Sequence, residues 1–98
     1  MTTPEGKLKK DFCSKLKKMK CTVLQYKQDA TTVAGFPDTI VLLPESLVIF
    51  LEFKKSKNAK YRPGQKEWAE KLTNRGFYHW CVYPTNAEEV LEEIKELI

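Results

Sequence analysis

Two acidic residues and a lysine have the types and spacing expected of a reactive site. Asp38 follows Pro37, and Glu52 follows Asp38 by fourteen residues and precedes Lys54 by two. Glu52 ends the apolar run Leu47–Leu51, where a carboxylate costs free energy unless another group pairs with it. Two carboxylates beside a cation suit Mg²⁺ or Mn²⁺, which accept a few protein oxygens together with water and phosphate oxygens. The pattern indicates metal-assisted chemistry at a phosphoryl group, in which Lys54 holds or deprotonates the attacking water.

A predicted hairpin brings the two carboxylates together. The turn-forming residues 44–46 separate two strands, and a hairpin centred there pairs residues whose numbers sum to 90. Ile40 then faces Phe50, and Asp38 faces Glu52, with Cβ atoms about 5 Å apart. Carboxylates this close repel each other unless a cation lies between them, and a one-residue slip turns Glu52 to the opposite face. The alternative is an ordinary surface cluster of charged residues at strand ends.

The predicted elements follow the order α-β-β-β-α-β-α. Apolar residues at helical spacing predict the first helix, capped by Thr2 or Thr3; they are Leu8, Phe12, Leu16 and Met19. Strands are predicted over residues 21–28, 39–43, 47–53 and 77–83. A second helix is predicted over residues 63–75, and a capping box of Thr85 and Glu88 begins a third.

The strand pattern and the connections predict a mixed sheet. The segment 47–53 is apolar on both faces, which favours a central position. The first three strands can form an antiparallel meander, and the strand–helix–strand connection gives a right-handed parallel crossover. We therefore predict an α/β fold with a mixed four-stranded sheet, helices on both faces, and a single domain over residues 1–98.

Basic residues are concentrated in two blocks, although the net charge is only +4. Residues 1–28 and residues 54–75 each carry +6, whereas residues 29–53 and residues 76–98 each carry −4. Basic surface of this kind favours a polyanionic partner. The alternative, lysines on solvated helix faces, stays open on charge alone.

The sequence gives no sign of export or of a membrane span. The longest apolar run has five residues, far short of the roughly 20 that cross a bilayer, and the charged start of the chain does not resemble a signal peptide. The three cysteines are far apart and form no CxxC pair. This argues against a zinc site or a disulfide framework and favours a reducing cytoplasm.

Three short motifs resemble one nuclease family. They are Gly35-Phe36-Pro37-Asp38, Glu52-Phe53-Lys54 and Arg62-Pro63-Gly64-Gln65. Together they resemble the virus-type replication-repair nuclease domain, VRR-NUC, of the PD-(D/E)XK nuclease superfamily, in its stand-alone phage form. The resemblance covers most of the chain. It implies a restriction-endonuclease-like fold, a metal-dependent DNA endonuclease, and the host bacterial cytoplasm as the place of action if a phage encodes the chain.

The resemblance also implies roles for individual residues. Asp38, Glu52 and the carbonyl of Phe53 bind the metal, Lys54 is catalytic, and Gln65 lies beside the site. Glu5 matches an acidic position on the first helix, from which it contacts a water ligand of the metal. A capping box of Thr2 and Glu5 explains that glutamate equally well.

A basic segment directly after the motif is well placed to bind DNA phosphates near the metal. It contains Lys55, Lys57, Lys60 and Arg62, and Tyr61 among them is the best candidate for base stacking. His79 in the fourth strand is interpreted as a packed or edge histidine rather than a catalytic one.

The preferred hypothesis is a nuclease that hydrolyses DNA phosphodiester bonds with Mg²⁺ or Mn²⁺. The family resemblance, rather than any residue of the chain, implies branched DNA such as Holliday junctions as the substrate. Resolving a four-way junction needs two cuts, so we expect a homodimer with its interface away from Asp38 and Glu52. The alternatives are a nucleic-acid-binding module of the same fold without catalysis, and a flap-cutting or nicking nuclease.

Overall fold

The computed structural model describes residues 3–26 and 33–98. The helices are α1 (Pro4–Lys18), α2 (Gln65–Asn74) and α3 (Ala87–Leu97), and the strands are β1 (Thr22–Gln25), β2 (Thr39–Leu42), β3 (Val48–Phe53) and β4 (Tyr78–Val82). This order confirms the predicted arrangement of elements. Within the described ranges, no helix is long and apolar enough to cross a membrane.

The four strands form one mixed sheet in the order β1-β2-β3-β4. β1, β2 and β3 form an antiparallel meander, and β4 is parallel to β3. Ile40 pairs with Phe50 and Thr39 pairs with Leu51, as the predicted hairpin register requires. Asp38 and Glu52 are the next positions along this register.

Helices cover both faces of the sheet, as predicted. On one face, α1 and α3 enclose the main core, in which the ring centroids of Phe12 and Phe53 lie 5.6 Å apart. Burying each such side chain contributes about 1.5–3 kcal/mol. On the other face, Trp68 of α2 packs edge-on against Phe36, with ring centroids 4.9 Å apart, and Phe36 packs against Phe50. Side chains alternate along β3, so Glu52 lies on the same face as Phe50.

Several predicted boundaries are wrong by a few residues. The capping box of Thr85 and Glu88 does not form, because Asn86 is the residue that precedes α3. The Asn86 side chain accepts a hydrogen bond from the Tyr83 amide and donates one to the Cys81 carbonyl, which fixes the turn after β4.

The starts of α2 and β1 also differ from prediction. α2 begins at Gln65 rather than at residue 63, because Gly64 adopts a left-handed conformation with φ of 85°. β1 covers Thr22–Gln25 of the predicted segment 21–28, whose last two residues lie outside the described ranges. Thr3 caps α1, since its side chain accepts a hydrogen bond from the Gly6 amide at 3.0 Å.

Candidate active site

Glu52 is a buried acid without hydrogen-bond partners. It is 2% exposed, and neither of its carboxylate oxygens has a partner among the described residues. It faces a small cavity whose lining residues are Glu5, Phe36, Asp38, Glu52, Phe53, Arg62 and Gln65. The cavity volume is about 10 Å³, enough for one water molecule or an ion of that size.

Asp38 lies in the same cavity with a different environment. Its Oδ2 atom accepts a hydrogen bond from Lys9 Nζ at 2.8 Å, and its Oδ1 atom accepts one from the Thr39 hydroxyl at 3.1 Å. Its side chain is 27% exposed. Asp38 and Glu52 thus line one cavity, and Lys9 of α1 supplies a cation on the Asp38 side.

Glu5 lines the cavity from the first turn of α1. Its Oε1 atom lies 3.4 Å from Arg62 Nη2, which joins the helix to the loop after β3. The alternative explanation of Glu5, a capping box with Thr2, rests on a residue outside the described ranges. The described N-cap is Thr3, and the residue three positions after it is Gly6, which has no side chain to complete a box.

Lys54 is buried and held in place by two oxygen atoms. It is 5% exposed, and its Nζ atom donates hydrogen bonds to Gln65 Oε1 and, at 3.3 Å, to the Lys60 carbonyl. Gln65 Oε1 also accepts a hydrogen bond from the Arg62 amide at 2.7 Å. The same ammonium lies 5.2 Å from the ring centroid of Tyr61. Gln65 thus fixes both the lysine and the loop that carries it.

Two glycines join the segments that carry Asp38 and Gln65. Gly35 and Gly64 have φ angles of 82° and 85°, which favour glycine. A Cβ atom on Gly35 would lie 2.1 Å from the Gly64 carbonyl carbon, and one on Gly64 would lie 2.6 Å from the Ala34 oxygen. The loop before Asp38 therefore packs backbone to backbone against the start of α2.

Sequence reasoning missed two neighbours of the carboxylates. His79 is a packed histidine, as expected, but its Nε2 atom lies 3.6 Å from Glu52 Oε1. Its position follows from the pairing of His79 with Phe50 in the parallel ladder. Lys9 could have been recognised, since it follows Glu5 by one helical turn and so shares its face.

The predicted DNA-binding residues lie outside the small cavity, apart from Arg62. Lys55, Lys57, Lys60 and Tyr61 are exposed in the loop after β3. A second cavity of about 380 Å³ is lined by Lys54, Lys57, Ala59, Tyr61, Cys81, Tyr83 and Asn86. Burial raises the pKa of Tyr61 and of Cys81, so both groups stay neutral near pH 7. Negative charge from these two groups does not oppose phosphate binding there.

The donor set fits a hard divalent cation with few protein ligands. Over residues 3–26 and 33–98, no group of three or more His, Cys, Asp or Glu residues could hold a metal ion. A metal here would depend on Asp38 and Glu52, supplemented by backbone oxygen and water, as Mg²⁺ commonly accepts. Such a cation would satisfy the buried oxygens of Glu52, which have no hydrogen-bond partner among the described residues.

Comparisons with known proteins agree with this geometry. A scan of protein-family models finds no match, and a search of curated proteins finds no significant one. A solved structure described as "VRR_NUC domain" superposes with a TM-score of 0.80 at 26% sequence identity. The match covers 93% of this chain and 97% of that one. Over most of its length the chain is therefore similar to a nuclease-type VRR-NUC domain, and its mixed α/β architecture is a restriction-endonuclease-like fold.

Proposed function

We propose that this protein is a Mg²⁺- or Mn²⁺-dependent endonuclease that hydrolyses phosphodiester bonds of branched DNA. The observation that carries the proposal is the carboxylate of Glu52, buried beside Asp38 with both oxygens unpartnered. A buried carboxylate without hydrogen-bond partners lowers the stability of the fold unless a bound ligand interacts with its oxygens. The family resemblance supports DNA as the substrate.

Each residue of the site has a proposed role. Asp38, Glu52 and the Phe53 carbonyl hold the metal, which when bound polarises a water and offsets negative charge on the phosphoryl group. Lys54 orients the attacking water and stabilises charge in the transition state. Gln65 positions Lys54 through its hydrogen bond, and Glu5 contacts the water around the metal from α1.

The basic loop after β3 binds the DNA strand. Lys55, Lys57, Lys60 and Arg62 provide positive charge beside Lys54, and half of the Tyr61 surface is exposed for a base to stack on. Neutralising Lys55, Lys57 and Lys60 together should weaken DNA binding and flatten its salt dependence.

A homodimer forms part of this proposal, because two sites are needed to cut opposing strands of a junction. Phe77 and Tyr78 are 43% and 42% exposed at the start of the edge strand β4. Tyr78 pairs with Ile49, whereas Phe53 at the other end of the ladder pairs with Val82. This aromatic surface therefore lies away from the site, where a twofold interface leaves both sites open.

The single domain over residues 1–98 and a cytoplasmic place of action also belong to the proposal. All three cysteines are free thiols in the structure, which suits a reducing compartment. Light scattering at micromolar concentration tests the dimer. A mass near that of one 11.4 kDa chain, with or without junction DNA, would contradict it and favour a nicking or flap-cutting monomer.

Cleavage assays test the proposed activity. The protein is incubated with end-labelled four-way junction, flap, splayed and duplex DNAs, in Mn²⁺, in Mg²⁺ and in EDTA. We expect cleavage of branched substrates that EDTA abolishes and that Glu52→Gln lacks. Binding of DNA without cleavage in any metal would identify the non-catalytic binding module instead.

A further inference from the structure

A groove runs between α1 and the edge strand β1, next to the candidate site. Its volume is about 460 Å³, and it is lined by Gly6, Lys9, Lys10, Cys13, Ser14, Lys17 and Gln25. Lys10, Cys13 and Lys17 recur at three- and four-residue spacing, which places them on one face of α1. The neighbouring face, with Phe12 and Leu16, is buried in the core. The groove is therefore a fixed part of the helix–sheet packing.

The groove lining is cationic. Three of its seven residues are lysines, and no acidic residue is among them. Burial raises the pKa of the Cys13 thiol, so this residue contributes no negative charge near pH 7. Gln25 Nε2 lies 3.5 Å from Cys13 Sγ, leaving the Gln25 carbonyl and the Ser14 hydroxyl as neutral polar groups beside the lysines. Polar groups with clustered lysines match the surface of a phosphodiester chain.

Lys9 connects the groove to the site. Its ammonium lines the groove and also lies 2.8 Å from Asp38 Oδ2 in the small cavity. The second cavity, with Lys57 and Tyr61, is lined by Lys54, whose ammonium bonds to Gln65 of the small cavity. One direct contact thus links the small cavity to each of the other two. A DNA strand that passes Asp38 and Lys54 can therefore contact lysines of both larger cavities.

We infer that the groove between α1 and β1 binds the DNA backbone as it leaves the candidate site, through Lys10 and Lys17. This inference rests on the proposed nuclease function and adds a second DNA-contact surface to the loop after β3. The other lysines of α1 differ in their surroundings. Lys15 and Lys18 line a different pocket, with Met19, Leu91 and Lys95, which shares no lining residue with the small cavity of the candidate site.

A pair of matched double variants tests the inference. Lys10→Ala/Lys17→Ala removes two charges from the groove, and Lys15→Ala/Lys18→Ala removes two charges from the same helix outside it. Binding to a fluorescein-labelled four-way junction is measured in EDTA, so that no strand is cut, over a series of salt concentrations. Circular dichroism and thermal melting establish that both variants are folded.

A plot of the logarithm of the DNA-binding constant against the logarithm of salt concentration has a negative slope. The groove variant should make this slope less steep by about two, because each lost phosphate contact removes about 0.9. The matched control should change it by less than about half a unit. Equal losses in both variants, or no loss in either, would overturn the inference, since binding would then follow net charge or ignore α1. Metal-dependent cleavage by the unmodified protein in parallel shows whether the proposed function itself stands. Failure to bind or cut DNA at all would overturn both proposals.

Discussion

The Nε2 atom of His79 lies 3.6 Å from Oε1 of Glu52, and neither atom has a hydrogen-bond partner among the described residues. Both side chains are buried, with 6% and 3% exposure. Asp38, by contrast, has a lysine at 2.8 Å and a hydroxyl at 3.1 Å. The two proposed metal ligands therefore differ in their effect on the free energy of unfolding, and this difference can be measured.

Replacing each acid by its amide should shift stability in opposite directions when no metal is present. Glu52→Gln removes a buried charge and should stabilise the fold by about 1 kcal/mol, which raises the melting temperature by about 4–8 °C in a domain of this size. Asp38→Asn loses a partly exposed ion pair worth about 0–1 kcal/mol and should be neutral or slightly destabilising. Thermal melting in EDTA compares the two. A larger gain for Asp38→Asn would contradict the assigned environments.

Divalent metal should stabilise the unmodified protein and leave the amide variants unchanged. A ligand at a hundred times its dissociation constant adds about 2.7 kcal/mol, or a rise of about 10 °C or more. Melting curves in EDTA and in saturating Mn²⁺ give this difference. The exposed residue Glu89 provides a control, since Glu89→Gln should keep the full response. If Glu52→Gln responds as strongly, the metal binds elsewhere.

Lys54→Ala should abolish or greatly slow cleavage while the metal-induced stabilisation remains, because the ammonium is not a metal ligand. Lys54→Arg should not restore the rate, since a planar guanidinium does not reproduce the compact ammonium that bonds to Gln65 Oε1 and the Lys60 carbonyl. Single-turnover cleavage and melting in Mn²⁺ separate the two effects. Normal cleavage by the arginine variant would show that Lys54 supplies only positive charge.

Gln65→Leu should slow cleavage by roughly 10- to 100-fold, the usual effect of losing a residue that orients a site group. An aliphatic side chain at this position would leave the Lys54 ammonium and the Arg62 amide without their shared acceptor. Gln65→Glu keeps an oxygen there and should lose less activity. Equal losses in both variants, measured under single-turnover conditions, would argue against a role as acceptor.

Gly35→Ala should cost much more stability than Gly76→Ala. Both glycines have left-handed φ angles, 82° and 85°, and thus share a backbone strain of about 1–2 kcal/mol on substitution. Of these two, only Gly35 has neighbours within 4 Å of an added Cβ atom, so we expect a loss of about 3 kcal/mol or more there. Denaturant unfolding of both variants gives the two values. Similar losses of stability in the two variants would show that the loop around Gly35 rearranges to accommodate the added methyl group at little cost in free energy.

The hairpin that brings Asp38 beside Glu52 was predictable because a short turn and a two-residue period fix its register. The position of His79 was not, since β3 and β4 are joined through α2 and no local turn sets their alignment. The start of α3 was missed for a related reason. Thr85 and Asn86 are both good capping residues, and hydrogen bonds from Asn86 to β4 and the turn after it decide between them. The position of Gln65 beside the site was expected only from family resemblance, and its hydrogen bond to Lys54 was not predicted.

The backbone contact between Gly35 and Gly64 has a consequence for folding order. The two residues are 29 positions apart, so their contact closes a long loop that includes β2, β3 and the basic segment after β3. Closing a long loop costs conformational entropy, and a non-local contact offsets that cost only when the intervening elements are already packed. The hairpin can therefore form first, with Asp38 near Glu52, while Lys54 still lacks Gln65. We therefore expect the contact that holds Lys54 to form late in folding, after the two carboxylates have come together in the hairpin.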